Sequence, residues 1–292
     1  PAFFTVTLVT SPDVVIATSG VKIDEQVKDE VMTQTIVAGP VRDFYMAAST
    51  RYAQMSEQVG ETLVTSYYPE EYEEGGQFVL EVGVNALKAY NERFGTYPYT
   101  ELDLVGTPMQ AGGMEYSGIV AMGVQFYDPE VVYAGLPAFT MLEMATAHEV
   151  AHQWFFNMVM SDQIDEPWID EGMAQYLTAL YFEDTYGSSA ARSIRESWYY
   201  RWNKVKSKAM AIGLSVRDYS ETEYGAIIYG RAPLFIQALR EKMGDTAFFD
   251  FMHALFAQYQ WGILTTEEYR ALAEQFCNCD LQQEFVAWVY PE

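Results

Sequence analysis

The strongest constraint in this chain is the spacing of its histidines. There are three in 292 residues, and two of them stand four apart in His148-Glu149-Val150-Ala151-His152. The stretch around them, 138–159, carries Ala, Met and Leu at helical density with no Gly or Pro, so it reads as one helix. Positions i and i+4 lie one turn apart on the same helix face, which brings two imidazoles close enough to share one metal ion. Glu149 falls on the flank of that face, within reach of a water held there. A zinc site takes a third protein ligand and leaves its fourth position to water. Glu171 supplies a carboxylate in Trp168-Ile169-Asp170-Glu171-Gly172, 19 positions beyond His152 and at the start of the next predicted helix. A helix, a turn and a returning helix span that gap. The expected cofactor is one zinc ion per chain, on His148, His152 and Glu171.

The pattern changes along the chain. Phe4–Val9, Val14–Ala17 and Val31–Val37 are β-rich, with Ser11-Pro12-Asp13 and Gly39-Pro40 as breaks. From Glu70 to Phe94 the apolar residues Phe78, Val82, Leu87 and Tyr90 recur at helical spacing, and Gly95 closes the segment. Leu102–Val105 and Ile119–Met122 are short strands with Ala111-Gly112-Gly113 between them. Beyond Pro137 helices are predicted at 138–159, 168–186, 190–206, 228–243, 245–259, 266–277 and 281–289. The class is α+β, with strands first, a mixed middle and helices last.

Composition narrows the function. Asp and Glu number 41 against 17 Lys and Arg, a net charge of −24, and such a surface repels phosphate backbones, so no nucleic-acid partner is expected. The same charge favours the approach of a cationic group such as a peptide's α-ammonium. No run approaches the roughly 18 apolar residues of a membrane-spanning helix. Pro1-Ala2-Phe3-Phe4 has neither an initiating Met nor a basic stretch before an apolar run, so a processing site or internal boundary is expected there rather than a signal peptide. Cys277 and Cys279 are separated by one residue, a spacing that strains a mutual disulfide, and free thiols are expected. His253 has no partner motif and reads as a partly buried structural residue. No motif encodes compartment or oligomeric state.

Several segments together resemble a known family. His148-Glu-Val-Ala-His-Gln-Trp-Phe155 followed by Trp168-Ile-Asp-Glu-Gly-Met-Ala174 is similar, without a gap, to the zinc aminopeptidases (gluzincins) of the aminopeptidase N and leukotriene hydrolase family. Gly112-Gly113-Met114-Glu115-Tyr116 resembles that family's Gly-x-Met-Glu-Asn motif, with Tyr116 where Asn is usual. Tyr229-Gly230-Arg231-Ala232 resembles its Tyr-x-Lys-Gly motif, and Tyr224 stands at a family-like distance from Tyr229. The likeness runs from about Val41 to Tyr290, in family order. It implies a thermolysin-like zinc peptidase catalytic domain over 59–292, a mixed sheet beside a helical subdomain, preceded over 1–58 by the last strands of an N-terminal β domain.

The resemblance also implies roles. Glu149 is the general base, taking a proton from water and passing it to the departing amine. Tyr229 is the hydrogen-bond donor to the oxyanion, a role that a neutral phenol fills without adding charge. Glu115 pairs with a substrate's free α-ammonium, while Gly112 and Gly113 permit close approach of an extended peptide. Asp165 and Asp170 read either as acids that orient a ligand histidine or as helix-end carboxylates, and Arg231 either as an aid to the transition state or as an ion-pair partner. The expected substrate is a peptide with a free N-terminus. Two alternatives stand beside this aminopeptidase: a zinc endopeptidase with an open cleft, and a non-catalytic peptide-binding module of the same fold.

Overall fold

Alternation sets the first strands. In β1 (Ala2–Thr10) Phe3, Thr5, Thr7 and Val9 are exposed while the residues between them are half-buried, and in β4 (Val31–Val41) Met32, Gln34, Ile36 and Ala38 are buried in the same period of two. Between them in sequence come β2 (Val15–Thr18) and β3 (Val21–Lys28), then β5 (Met46–Ser49). The first sheet has the order β1-β4-β3, antiparallel throughout, and β2 pairs with β5 in a separate ribbon. The computed structural model describes residues 1–133 and 135–290. The chain divides into two compact units, Pro1–Lys88 with Thr96–Gln153, and Ala89–Gly95 with everything from Trp154 onward.

The first unit is built on a mixed five-stranded sheet. Its strands are β6 (Tyr52–Val59), β7 (Thr62–Pro69), β8 (Glu101–Thr107), β9 (Gly113–Met114) and β10 (Ile119–Gly123), in the order β6-β7-β8-β10-β9. β6 and β7 pair antiparallel along their whole length, from Tyr52 opposite Pro69 to Val59 opposite Thr62. β7, β8 and β10 are parallel, and parallel neighbours need a crossover. Helix α1 (Glu73–Phe94) provides it between β7 and β8, burying Val79, Val82, Ala86 and Leu87. β10 is buried at every position and β8 at all but its ends, as befits strands covered on both faces. Helix α2 (Ala138–Ala151) is buried along most of its last three turns, from Leu142 to Ala151, and packs on β9 and β10.

Two expectations are corrected here. The predicted helix over 138–159 stops at Ala151, with His152 as its C-cap. Beyond it the main chain bonds in loops, Phe156 N–H to Val159 O at 3.0 Å and Val159 N–H to Trp154 O at 2.9 Å, so the apolar run there reflects burial rather than a helix face. β4 does not end at Val37 but continues through Gly39-Pro40 to Val41, where a register shift near Ala2 absorbs the irregularity. β3 carries no sequence signal because all its residues after Val21 are exposed.

Asp103 on β8 is buried, and its Oδ2 accepts the Thr18 N–H at 3.2 Å. Burial pushes its carboxyl well above the usual range, with the nearby Glu101 adding to the effect. A raised carboxylate contributes full stability below its unfolded-state pKa and loses it as pH rises through the folded value. Asp103→Asn keeps the acceptor without the charge. Its melting temperature should exceed that of the parent at pH 8 and match it near pH 4; a parent whose stability does not fall with pH would contradict this.

The second unit is helical: α3 (Met173–Tyr186), α4 (Ser188–Asn203), α5 (Glu221–Ala226), α6 (Ala232–Met243), α7 (Asp245–Tyr259), α8 (Thr266–Cys277) and α9 (Gln282–Trp288). Ser220 with Glu223 and Thr265 with Glu268 form capping boxes that start α5 and α8. Trp168 anchors the core, edge-on to Phe235 and Tyr269, and its Nε1–H donates to Thr266 Oγ1 at 3.0 Å. The expectation of free thiols is corrected: Cys277 and Cys279 are joined in a disulfide. α8 ends at Cys277 and Asn278 adopts the left-handed conformation (φ 49°), which turns the chain and sets the two Cα atoms 5.2 Å apart, within reach of a bridge. His253 is exposed on α7, not partly buried as expected. Among the described residues no helix is long and apolar enough to cross a membrane.

Candidate active site

Within the first unit, the last turn of α2 delivers both histidines. His148 is 7% and His152 1% exposed, and their Nε2 atoms face one another at 3.1 Å. Two imidazole nitrogens turned together in a buried place are a donor pair for a metal rather than a solvated surface. Glu149, buried between them in sequence, points its carboxylate at β9. Donor atoms of Glu115, Glu149 and His152 all lie within 4.8 Å of one another, so the unit gathers the predicted amine-binding acid, the predicted base and one metal ligand. Nitrogen and carboxylate oxygen donors of this kind suit zinc.

Gly113 makes the arrangement sterically feasible. A Cβ at that position would stand 2.4 Å from Glu149 Cγ and 2.6 Å from its Oε1. Gly112 meets only ordinary contact, with Ala145 Cβ at 3.8 Å. Gly113 therefore serves Glu149 directly, a purpose that sequence reasoning missed when it assigned both glycines to substrate approach. Gly113→Ala has to displace the carboxylate or the strand, and a shift of about 1 Å costs turnover on the order of 10²-fold. Kinetics at unchanged zinc content would check this, and undiminished kcat would contradict it.

The second unit carries Glu171 and Tyr229. Both lie on single π turns, Trp168–Gly172 before α3 and Ile227–Arg231 before α6, where the sequence predicts unbroken helix or a helix start. Such turns re-aim side chains that a regular helix would fix elsewhere. Glu171 is half-buried, and its N–H donates to Asp170 Oδ1 at 2.7 Å. The two turns pack together, with Ala232 Cβ only 2.9 Å from where a Cβ on Gly172 would stand. Gly230 lets its turn approach α4, since a Cβ there would meet Trp198 O at 2.9 Å. Tyr229 is half-buried with its ring edge-on to Tyr224 at 5.8 Å. Arg231 is committed to structure: its guanidinium donates to Met210 O and, at 2.8 Å, to Ala287 O, over the Trp288 ring. Asp165 is exposed and 4.0 Å from Arg217.

The sequence profile of the peptidase family M1 domain matches residues 78–288. Aminopeptidase M1-C of Oryza sativa subsp. japonica is 25% identical over 234 residues, covering 73% of this chain and 25% of that protein. Aminopeptidase N of Streptomyces lividans is 24% identical over 221 residues, covering 72% and 25%. The chain thus spans about a quarter of the length of these curated relatives. Among solved structures, a mutant two-domain M1 zinc metallopeptidase bound to L-arginine superposes with TM-score 0.75 at 21% identity, covering all of this chain and 64% of that one. A mutant M1 zinc metallopeptidase of Deinococcus radiodurans bound to a Tyr-Ser-Ala substrate gives 0.73 at 19%, with the same coverage. The expected α+β fold with its thermolysin-like metal helix is therefore present, zinc is the metal that the donor set fits, and the chain belongs to peptidase family M1.

Proposed function

We propose that this chain is the catalytic part of a zinc aminopeptidase, which removes the first residue of a peptide. The observation that carries this reading is the close grouping of Glu115, Glu149 and His152 at the end of the metal helix. A buried base beside a metal ligand suits hydrolysis. A second carboxylate at the same place suits a substrate that presents an ammonium group there.

His148 and His152, with Glu171 as third ligand, would hold the zinc. When bound, the ion polarises a carbonyl and makes a coordinated water acidic near neutral pH. Glu149 accepts the proton of the attacking water as the new C–O bond forms, then delivers it to the departing nitrogen as the C–N bond breaks. Tyr229 donates a hydrogen bond to the carbonyl oxygen as negative charge builds on it. Glu115 holds the α-ammonium and so fixes which bond is presented. β9 is the edge of its sheet, and Gly112 and Gly113 leave its open side accessible to an extended peptide.

The test is direct: zinc-loaded protein should release the leaving group from an amino-acyl reporter, and removing the metal by chelation should abolish this. Tyr229→Phe should lower kcat with little change in KM, because the interaction is made in the transition state. An effect confined to KM would make Tyr229 a substrate-binding residue instead.

A further inference from the structure

The metal helix does not end at its second histidine without consequence. Gln153, the next residue, is fully buried, and its side-chain amide spans the loop that carries Glu115. Its Nε2–H donates to Tyr116 O at 3.0 Å, and its Oε1 accepts the Gly118 N–H at 3.0 Å. The two backbone groups are two residues apart, and the primary amide meets one with its donor and the other with its acceptor. The far side of the same loop is held independently. Ser117 N–H donates to Asp43 Oδ1 at 3.0 Å, and Ser117 Oγ accepts the Arg42 N–H at 3.0 Å. Gly118, whose N–H is one of these anchors, adopts φ +73°, a left-handed conformation that glycine takes without strain.

We propose that Gln153 is a positioning residue for amine recognition: it ties the Glu115 loop to the turn that carries His152, and so fixes the amine-binding carboxylate relative to the metal ligands. The proposal rests on the reading of Glu115 as the group that meets the substrate's ammonium. Charge-assisted recognition is sensitive to placement at the scale of about 0.5 Å, and supporting hydrogen bonds of this kind hold a carboxylate to that tolerance. Gln153 needs no contact with substrate to act.

A double-mutant cycle separates this role from a merely structural one. Gln153→Met should keep stoichiometric zinc and raise KM for an amino-acyl reporter roughly tenfold, with kcat changed less, as expected when ground-state and transition-state binding are lost together. In a Glu115→Ala background the same substitution should change kcat/KM by no more than about twofold, because its target is already absent. Losses that multiply across the two backgrounds, or zinc content that falls in step with activity, would overturn the proposal. If Gln153→Met does not fold, Gln153→Asn, which keeps the donor and the acceptor but is one methylene too short to reach both partners, should show the same coupling at smaller size, and additive losses there would equally overturn it. The underlying reading fails separately: Glu115→Ala alone would then leave the preference for a free amine intact.

Discussion

Glu149→Gln should bind zinc at full stoichiometry and lose roughly 10²–10⁴-fold in turnover, the contribution expected of general base catalysis. The amide has the shape of the carboxylate but cannot accept the water's proton. Shape matters here because the side chain lies against Gly113, where even a methyl group would collide with it. Gln fits the space that Glu149 leaves, so the loss reports proton transfer rather than packing. Steady-state kinetics on an amino-acyl reporter, with metal analysis of the same sample, makes the check. Retention of activity within about tenfold would remove Glu149 from the role of base.

Glu115→Ala has an expected effect of similar size through binding. Truncating one partner of a hydrogen-bonded charge pair in a partly dehydrated site costs on the order of 2–5 kcal/mol. At about 1.36 kcal/mol per tenfold, that is a fall of roughly 30- to several-thousand-fold in kcat/KM for free amines. Glu115 shares its surroundings with Glu149 and His152, so a compensating contact elsewhere is not needed to explain the loss. The variant should still hold zinc. A loss equally large on substrates whose amine is blocked would show that Glu115 serves the site generally and not the ammonium.

The histidine pair is legible because residues four apart on a helix share one face, so the spacing alone brings two imidazoles together. The extent of α8 is legible too, expected over 266–277 and observed as Thr266–Cys277. The end of α2 was not. Trp154, Phe155, Phe156 and Met158 are buried by loop contacts, and burial of that kind looks the same in sequence as a helix face. The π turns under Glu171 and Tyr229 left no periodic trace, since one extra residue in a turn alters spacing by less than the pattern resolves. Gly172 and Gly230 were the available hints, both at close approaches between elements. The Cys277–Cys279 bridge is not legible in the spacing because it depends on the left-handed backbone of Asn278, which a one-residue gap does not reveal. Gln153 stood in plain view inside the metal motif, but its two partners are 37 and 35 residues away in sequence and become neighbours only once the sheet is formed.

The most direct measurement of the central claim compares one peptide in two forms, with its N-terminus free and with it acetylated, each incubated with the zinc-loaded protein and followed by mass spectrometry. The account predicts stepwise loss of N-terminal residues from the free peptide and no cleavage of the acetylated one. Cleavage of both at internal bonds, at comparable rates, would contradict it and identify the chain as an endopeptidase.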